Sequence, residues 1–288
     1  MDLKYSSQHE SFRQEVRAFL SAHANRFPKP FGVNRPTPEA LAWQALLIEH
    51  GYAARTIPKE YGGYGAKGDI LESRIIAEEF SRARAPWGLV NQGISMLVPT
   101  LLEMGSDEQK HRWIAPTLRG EVIWCQGYSE PGAGSDLASL TTYAIDDGQD
   151  FIVNGQKIWT SFGEVADYCY LICRTSSDGP PHAGISEIIV PMNTPGIDVR
   201  PIQDMTTNRH FCEVFYTDVR VPKDNLVGQQ GGAFAQTMRQ LEHERGGIDR
   251  LVSNKALYDM ALKKADTSDM RVRQEIADIE IGYRVGRI

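Results

Sequence analysis

Phe151-Ile152-Val153-Asn154-Gly155-Gln156-Lys157-Ile158-Trp159 sets apolar and aromatic residues on either side of an Asn-Gly pair. Asn-Gly suits a two-residue turn whose central residues both take positive φ, so the stretch reads as a β-hairpin. Further β-branched and aromatic runs follow at 168–173, 187–190, 197–199 and 212–221, with turn residues at Asp178-Gly179-Pro180 and Pro195-Gly196. Short strands at that spacing predict a small antiparallel barrel or sandwich.

Helical patterning lies on both sides. Ser7 followed by Glu10 fits a capping box, and Phe12, Val16, Phe19 and Leu20 line one face beyond it. Thr37-Pro38 opens a helix that Gly51 stops, and Asp69 opens another that ends before Pro86. An apolar segment over 89–104 ends at Gly105, and Ser106 with Gln109 forms the next capping box. After the glycines at 228, 231 and 232, the stripe Phe234, Met238, Leu241, Ile248 and Val252 restores the helical period, and a second helix starts near Ser268-Asp269. The expected fold class is α+β: a helical N-terminal domain (1–119), an antiparallel β-barrel middle domain (120–227) and the start of a C-terminal helical bundle (228–288). Ile288 falls inside a helical pattern without a C-cap, which predicts that the chain is a piece of a longer one.

With 288 residues, 41% hydrophobic and 24% charged, the chain has globular composition and ample core material. The net charge of −6 and the absence of basic runs beyond Arg82-Ala83-Arg84 argue against a nucleic-acid partner. No stretch is apolar for long enough to span a bilayer, and Met1-Asp2-Leu3-Lys4 lacks the features of a signal peptide, so a cytoplasmic location is expected. Cys125, Cys169, Cys173 and Cys212 show no zinc-ligand spacing; buried free thiols and no metal are expected.

Three places suggest chemistry. Tyr128-Ser129-Glu130-Pro131-Gly132-Ala133-Gly134-Ser135-Asp136 follows a strand-like run, and its glycines and hydroxyls suit a pyrophosphate or a flavin edge. On composition alone it also reads as a plain turn, and its spacing is not G-x-G-x-x-G. Trp159-Thr160-Ser161 offers an indole and polar donors to a planar cofactor, or ends a strand with a core tryptophan. Glu244 lies three residues after Leu241 and four before Ile248, so it faces the apolar stripe, where desolvation raises a carboxyl toward the range of a general base. The alternative is a solvated Glu244 paired with Arg239 or Arg250.

In order and spacing, 129–136, 154–161 and 214–222 resemble the acyl-CoA dehydrogenase flavoproteins, as do Glu60-Tyr61-Gly62-Gly63 and Glu78-Glu79. The likeness is greatest to a bacterial branch marked by Trp124-Cys125-Gln126 and Val272-Arg273-Gln274. It implies helical, β-barrel and four-helix-bundle domains, with FAD between the last two and reaching into a neighbouring subunit. It implies further that Gln126, Tyr128 and Ser129 run along the flavin, that Gly134 and Ser135 meet the pyrophosphate, and that Ser135 and Arg245 approach the acyl-CoA. Trp159 packs on the isoalloxazine, with Thr160 and Ser161 near N5. Glu244 falls where the isovaleryl-type enzymes carry the base that removes the α-proton, while the β-hydrogen leaves as hydride to the flavin.

The implied activity is oxidation of an acyl-CoA to the 2-enoyl-CoA in fatty acid or lipid catabolism, with electrons passed to an electron-transfer flavoprotein by a homo- or hetero-oligomer, a dimer or tetramer. Alternatives on the same fold are an acyl-CoA oxidase, a flavin monooxygenase, or a non-catalytic partner subunit of a heteromer. By resemblance Trp87, Met96, Val98 and Leu101 line an acyl pocket, and Gly88, Gly93, Gly246 and Gly247 suggest room for a branched or ring-bearing group.

Overall fold

A computed structural model describes residues 5–32, 34–245 and 254–286, the side chains of 243–245 excepted. Helices α1 (Ser7–Ala22), α2 (Pro38–Glu49), α3 (Ile70–Ala83), α4 (Val98–Met104) and α5 (Asp107–Leu118) precede the strands, with a π-turn at Gly93–Leu97. The strands are β1 (Trp124–Gly127), β2 (Tyr143–Asp146), β3 (Asp150–Ser161), β4 (Tyr168–Arg174), β5 (Ile185–Pro191), β6 (Ile197–Ile202), β7 (Phe211–Pro222) and β8 (Leu226–Val227). Then come α6 (Ala233–Arg245), α7 (Lys255–Lys264) and α8 (Met270–Gly286). Two compact units divide the chain, and neither is continuous in sequence: one is Met1–Pro28, Ala66–Gly88 and Gly246–Ile288, the other Lys29–Gly65 and Leu89–Arg245.

In the first unit, α1 and α3 pack together through faces that bury Val16, Phe19 and Leu20 and Ile75, Ile76 and Phe80. Ser6, not Ser7, caps α1, its hydroxyl accepting from the His9 N–H at 3.2 Å. Ser7 already has helical backbone, one residue later than its side chain could serve as a cap. Glu79 is almost fully buried and accepts hydrogen bonds from Arg13, Arg17 and Arg82 at 2.7–2.9 Å. Burial works to raise its pKa, but the three guanidinium groups hold it at about 2. A cleft of about 360 Å³ among α3, α7 and α8 is lined by charges of both signs, including Arg82, Arg84, Lys255, Asp259 and Glu280, and holds none of the residues expected to bind cofactor or substrate or to act as base.

The second unit is organised by an eight-stranded sheet in the order β6-β7-β3-β2-β4-β5-β8, with β1 paired to β4. The expected closed antiparallel barrel is not formed. Among the described residues no pairing joins β6 to β8, β1 runs parallel to β4, and β2 meets β4 through one parallel pair, Tyr143 with Arg174. The two ends of the sheet are poor templates for closure: β8 has only two residues, and β6 carries Asp198, Arg200 and Pro201. The cysteines are free and buried as expected, within a core of the sheet that includes Phe151, Val153, Ile188 and Val214.

The Asn154-Gly155 hairpin is also corrected. β3 runs unbroken for 12 residues, and both of its halves pair with β7. Asn154 opposes Thr217 and Asp218 in a bulge, locked by Asn154 Nδ2 donating to Asp218 Oδ1 at 3.1 Å and the Asp218 N–H donating back at 3.0 Å. Gly155 takes φ +149°, and a Cβ there would lie 2.4 Å from the Thr142 hydroxyl, so the glycine serves close packing of strands. The true hairpin turn lies earlier, around Asp147-Gly148 between β2 and β3.

Candidate functional site

The loop after β1 is bound to β3 from within. The Ile158 N–H donates to the Ser129 carbonyl at 2.9 Å, and the Lys157 ammonium donates to the Tyr128 carbonyl at 3.0 Å and to Glu130 Oε1 at 2.8 Å. Glu130 also accepts from the Thr141 N–H and hydroxyl and the Thr142 N–H, at 2.7–2.9 Å. Lys157 and Glu130 are 0% and 6% exposed. Burial opposes both charges; for Glu130 the neighbouring ammonium and the threonine donors prevail and hold the carboxyl at about 2. Neither residue was singled out from sequence. The signal existed: counting by twos from Phe151 puts Lys157 on the core face, where an ammonium needs a carboxylate.

A second bulge aims the next residues. Ile158 and Trp159 together oppose Glu213, and Trp159 takes a left-handed φ of +60°. Its indole is 58% exposed and touches Phe211 edge-on at 6.0 Å, so the core-tryptophan alternative does not hold. A bulge re-aims side chains in this way, and a left-handed conformation at a bulky residue costs about 1–2 kcal/mol. Thr160 points inward and is 1% exposed, with a hydroxyl that has no hydrogen-bond partner among the described residues, and Ser161 is half-buried at the end of β3.

Gln126, Tyr128 and Ser129 continue from β1, with Gln126 and Ser129 half-buried and Tyr128 buried. The Glu130-to-Ala133 turn closes on itself, the two residues exchanging backbone hydrogen bonds at 2.8 and 3.1 Å. Gly134 and Ser135 follow it into solvent, and nothing lies within 4 Å of a Cβ built on Gly134. The structure thus joins Tyr128 and Ser129 to Lys157 and Ile158, the residues just before Trp159–Ser161, and leaves Gly134 and Ser135 open. Glu244 and Arg245 belong to the last turn of α6, and their side chains lie outside the described residues, as do Gly246, Gly247, Ile248 and Val252. Arg239 pairs with Glu103.

Sequence reasoning missed one more carboxyl. Glu187 on β5 is fully buried and accepts from the Gln236 amide at 2.9 Å and the Gln240 amide at 3.0 and 2.8 Å, tying α6 to the sheet. Burial pushes it up to about 7 against those two donors. Of the expected acyl-pocket residues, Met96, Val98 and Leu101 are core, whereas Trp87 is 38% exposed and stacked on Phe80 at 5.5 Å. Gly93 leaves no room for a ligand: a Cβ there would lie 2.2 Å from the Trp124 ring. No helix of the described residues is long and apolar enough to cross a membrane, and no cluster of metal-ligating side chains occurs among them.

Residues 6–121 match the acyl-CoA dehydrogenase N-terminal domain and residues 125–219 its middle domain. The chain is 35% identical to acyl-CoA dehydrogenase IpdE1 of Mycobacterium tuberculosis, over 96% of its own length and 75% of the relative's. It is 30% identical to the mitochondrial short-chain specific acyl-CoA dehydrogenase of Mus musculus, over 97% and 70%. Among solved structures, the Tcur3481-Tcur3483 steroid ACAD superposes with a TM-score of 0.78 at 32% identity, covering 99% of this chain and 75% of that one. The ChsE4-ChsE5 complex from Mycobacterium tuberculosis gives 0.76 at 30%, covering 99% and 75%.

Proposed function

Because the chain belongs to the acyl-CoA dehydrogenase family, we propose that it oxidises an acyl-CoA thioester to the 2-enoyl-CoA with FAD as cofactor and an electron-transfer flavoprotein as acceptor. The observation that carries this reading is the junction of two motifs, in which Ile158 bonds to Ser129 and Lys157 to Glu130. The residues at the junction suit a flavin: an exposed indole, a buried hydroxyl on Thr160 without a partner among the described residues, and half-buried donors at Gln126, Ser129 and Ser161. FAD, when bound, supplies the hydride acceptor.

The chain's own residues do the rest. Trp159 offers a flat apolar face and shields the site from water, while Gln126, Ser129, Thr160 and Ser161 hold the ring system through their side chains and Tyr128 through its backbone. Gly134 and Ser135 receive the pyrophosphate, the open space at Gly134 leaving its backbone accessible. Glu244 takes the α-proton; α6 is fixed one turn earlier by the Gln240–Glu187 bond, which steadies the helix end that carries the base. Ser135 and Arg245 bind the acyl-CoA. The acyl group is branched or ring-bearing, a reading supported by the neighbour described as a steroid ACAD, and the chain works in an oligomer with a related subunit, as the ChsE4-ChsE5 complex suggests. Anaerobic titration of the FAD-loaded protein with a panel of acyl-CoAs tests this. Flavin bleaching is expected in the wild type and near-loss of it in Glu244→Gln with FAD retained; equal bleaching in both would remove Glu244 from the role.

A further inference from the structure

Around the start of the loop after β1, several buried polar atoms are left without partners among the described residues. Among the described residues the hydroxyls of Tyr128 and Thr237 and the side-chain carbonyl of Gln92 are buried and make no hydrogen bond. Tyr128 is 7% exposed and Thr237 0%. A native fold seldom leaves such groups unpaired, because each costs about 1–3 kcal/mol when buried without a partner.

These atoms converge from three elements. The Tyr128 hydroxyl lies near Thr237 on α6 and Gln126 on β1, but makes no hydrogen bond of ordinary length and angle to either. Gln126 in turn accepts from the Gln92 amide at 3.4 Å. Gln92 begins the π-turn Gly93–Leu97, which packs on α6, and π-turns recur at functional sites. Tyr128 packs in the same apolar core as Met96, Leu97, Tyr170 and Ala233. Burial keeps the Tyr128 phenol protonated, so Tyr128 and Thr237 offer O–H donors while Gln92 offers an acceptor. No cation belongs to the group, and the field of Glu187 opposes negative charge at Tyr128, so an anionic ligand group is disfavoured there.

We infer that Gln92, Gln126, Tyr128 and Thr237 form the polar end of the acyl-binding site and take a neutral oxygen, hydroxyl or carbonyl, carried on the acyl group away from the thioester. The inference rests on the acyl-CoA reading above and adds the substrate feature that the chain selects. A hydroxyl satisfies donors and acceptor together, and a carbonyl satisfies the two donors. An acyl group lacking that oxygen leaves all of them unpaired, and sites that hydrogen-bond a substrate discriminate strongly against such analogues.

The test uses the FAD-loaded full chain with cyclohexanepropanoyl-CoA and its ring-hydroxylated and ring-oxo derivatives. Dissociation constants come from calorimetry and reduction from anaerobic flavin bleaching. At least one oxygenated acyl-CoA is expected to bind about tenfold or more tightly than the parent, and Thr237→Val and Gln92→Leu to bring that ratio close to one. Each ratio is taken within one protein, so a variant that loses flavin leaves the other to decide. Equal binding of all three compounds by the wild type, or a ratio that survives both substitutions, overturns the inference and leaves the cluster as a site for buried solvent. Failure of every acyl-CoA to bind or bleach overturns the acyl-CoA reading and the inference with it.

Discussion

Trp159 holds a backbone conformation that stability alone would give to glycine, and it presents a large apolar surface to solvent. Strain of this kind is kept where something else depends on it. Trp159→Gly is therefore expected to match or exceed the wild type in urea unfolding, by up to about 1 kcal/mol, while FAD affinity falls more than tenfold. Lys157 and Glu130 show the opposite economy: Lys157→Met strands a buried carboxylate and is expected to cost about 3–5 kcal/mol. Glu130 is held at about 2 against an ordinary 4.5, so its contribution is complete above about pH 4.5 and is lost as pH falls toward 2. Acid titration of folding stability in Lys157→Met should lack that loss. Lys157 was legible from the parity of its strand. The exposure of Trp159 was not, because a bulge cancels the two-residue alternation at the very next positions.

Among elements, β3 shows why local turn chemistry misled. Asn-Gly supplies the same backbone freedom to a hairpin and to a bulge, and the choice falls to the partner strand: β7 is long enough to pair both halves. Gly155→Ala is expected to destabilise by at least about 1–2 kcal/mol, since it combines φ +149° with a clash against Thr142. The helix signals transferred better, because caps act within one turn: Thr37, Asp69 and the Ser106/Gln109 box all stand where they were expected. α6 depends on Glu187, which burial raises from 4.5 to about 7. The folded protein then holds this proton more tightly than the unfolded chain, so stability falls as pH rises from about 4.5 to about 7 and is level beyond. Protonated Glu187 also offers an O–H to the Gln240 carbonyl, which has no partner among the described residues, once that amide turns over. Glu187→Gln is expected to abolish this loss, which thermal unfolding at about pH 5 and pH 8 would register.

For the whole molecule, family motifs carried the reading further than periodicity could. Strand count and positions were largely legible, but whether the sheet closes depended on pairings between residues distant in sequence, which no local pattern encodes. FAD binding has a global readout: at about one hundred times the dissociation constant it is expected to stabilise the fold by about 2.7 kcal/mol, visible as a rise in Tm that Trp159→Gly reduces. The interleaving of the two units has a bearing on synthesis. The unit built from 29–65 and 89–245 has all its residues once Arg245 has emerged, whereas α1 and α3 belong with 246–288, which are made later. Co-translational folding would therefore complete the sheet-bearing unit first, although α1 and α3 can pair as soon as residue 83 has emerged. A ribosome stalled once Arg245 has cleared the exit tunnel should carry a protease-resistant sheet, while residues 1–28 and 66–88 remain more readily cleaved.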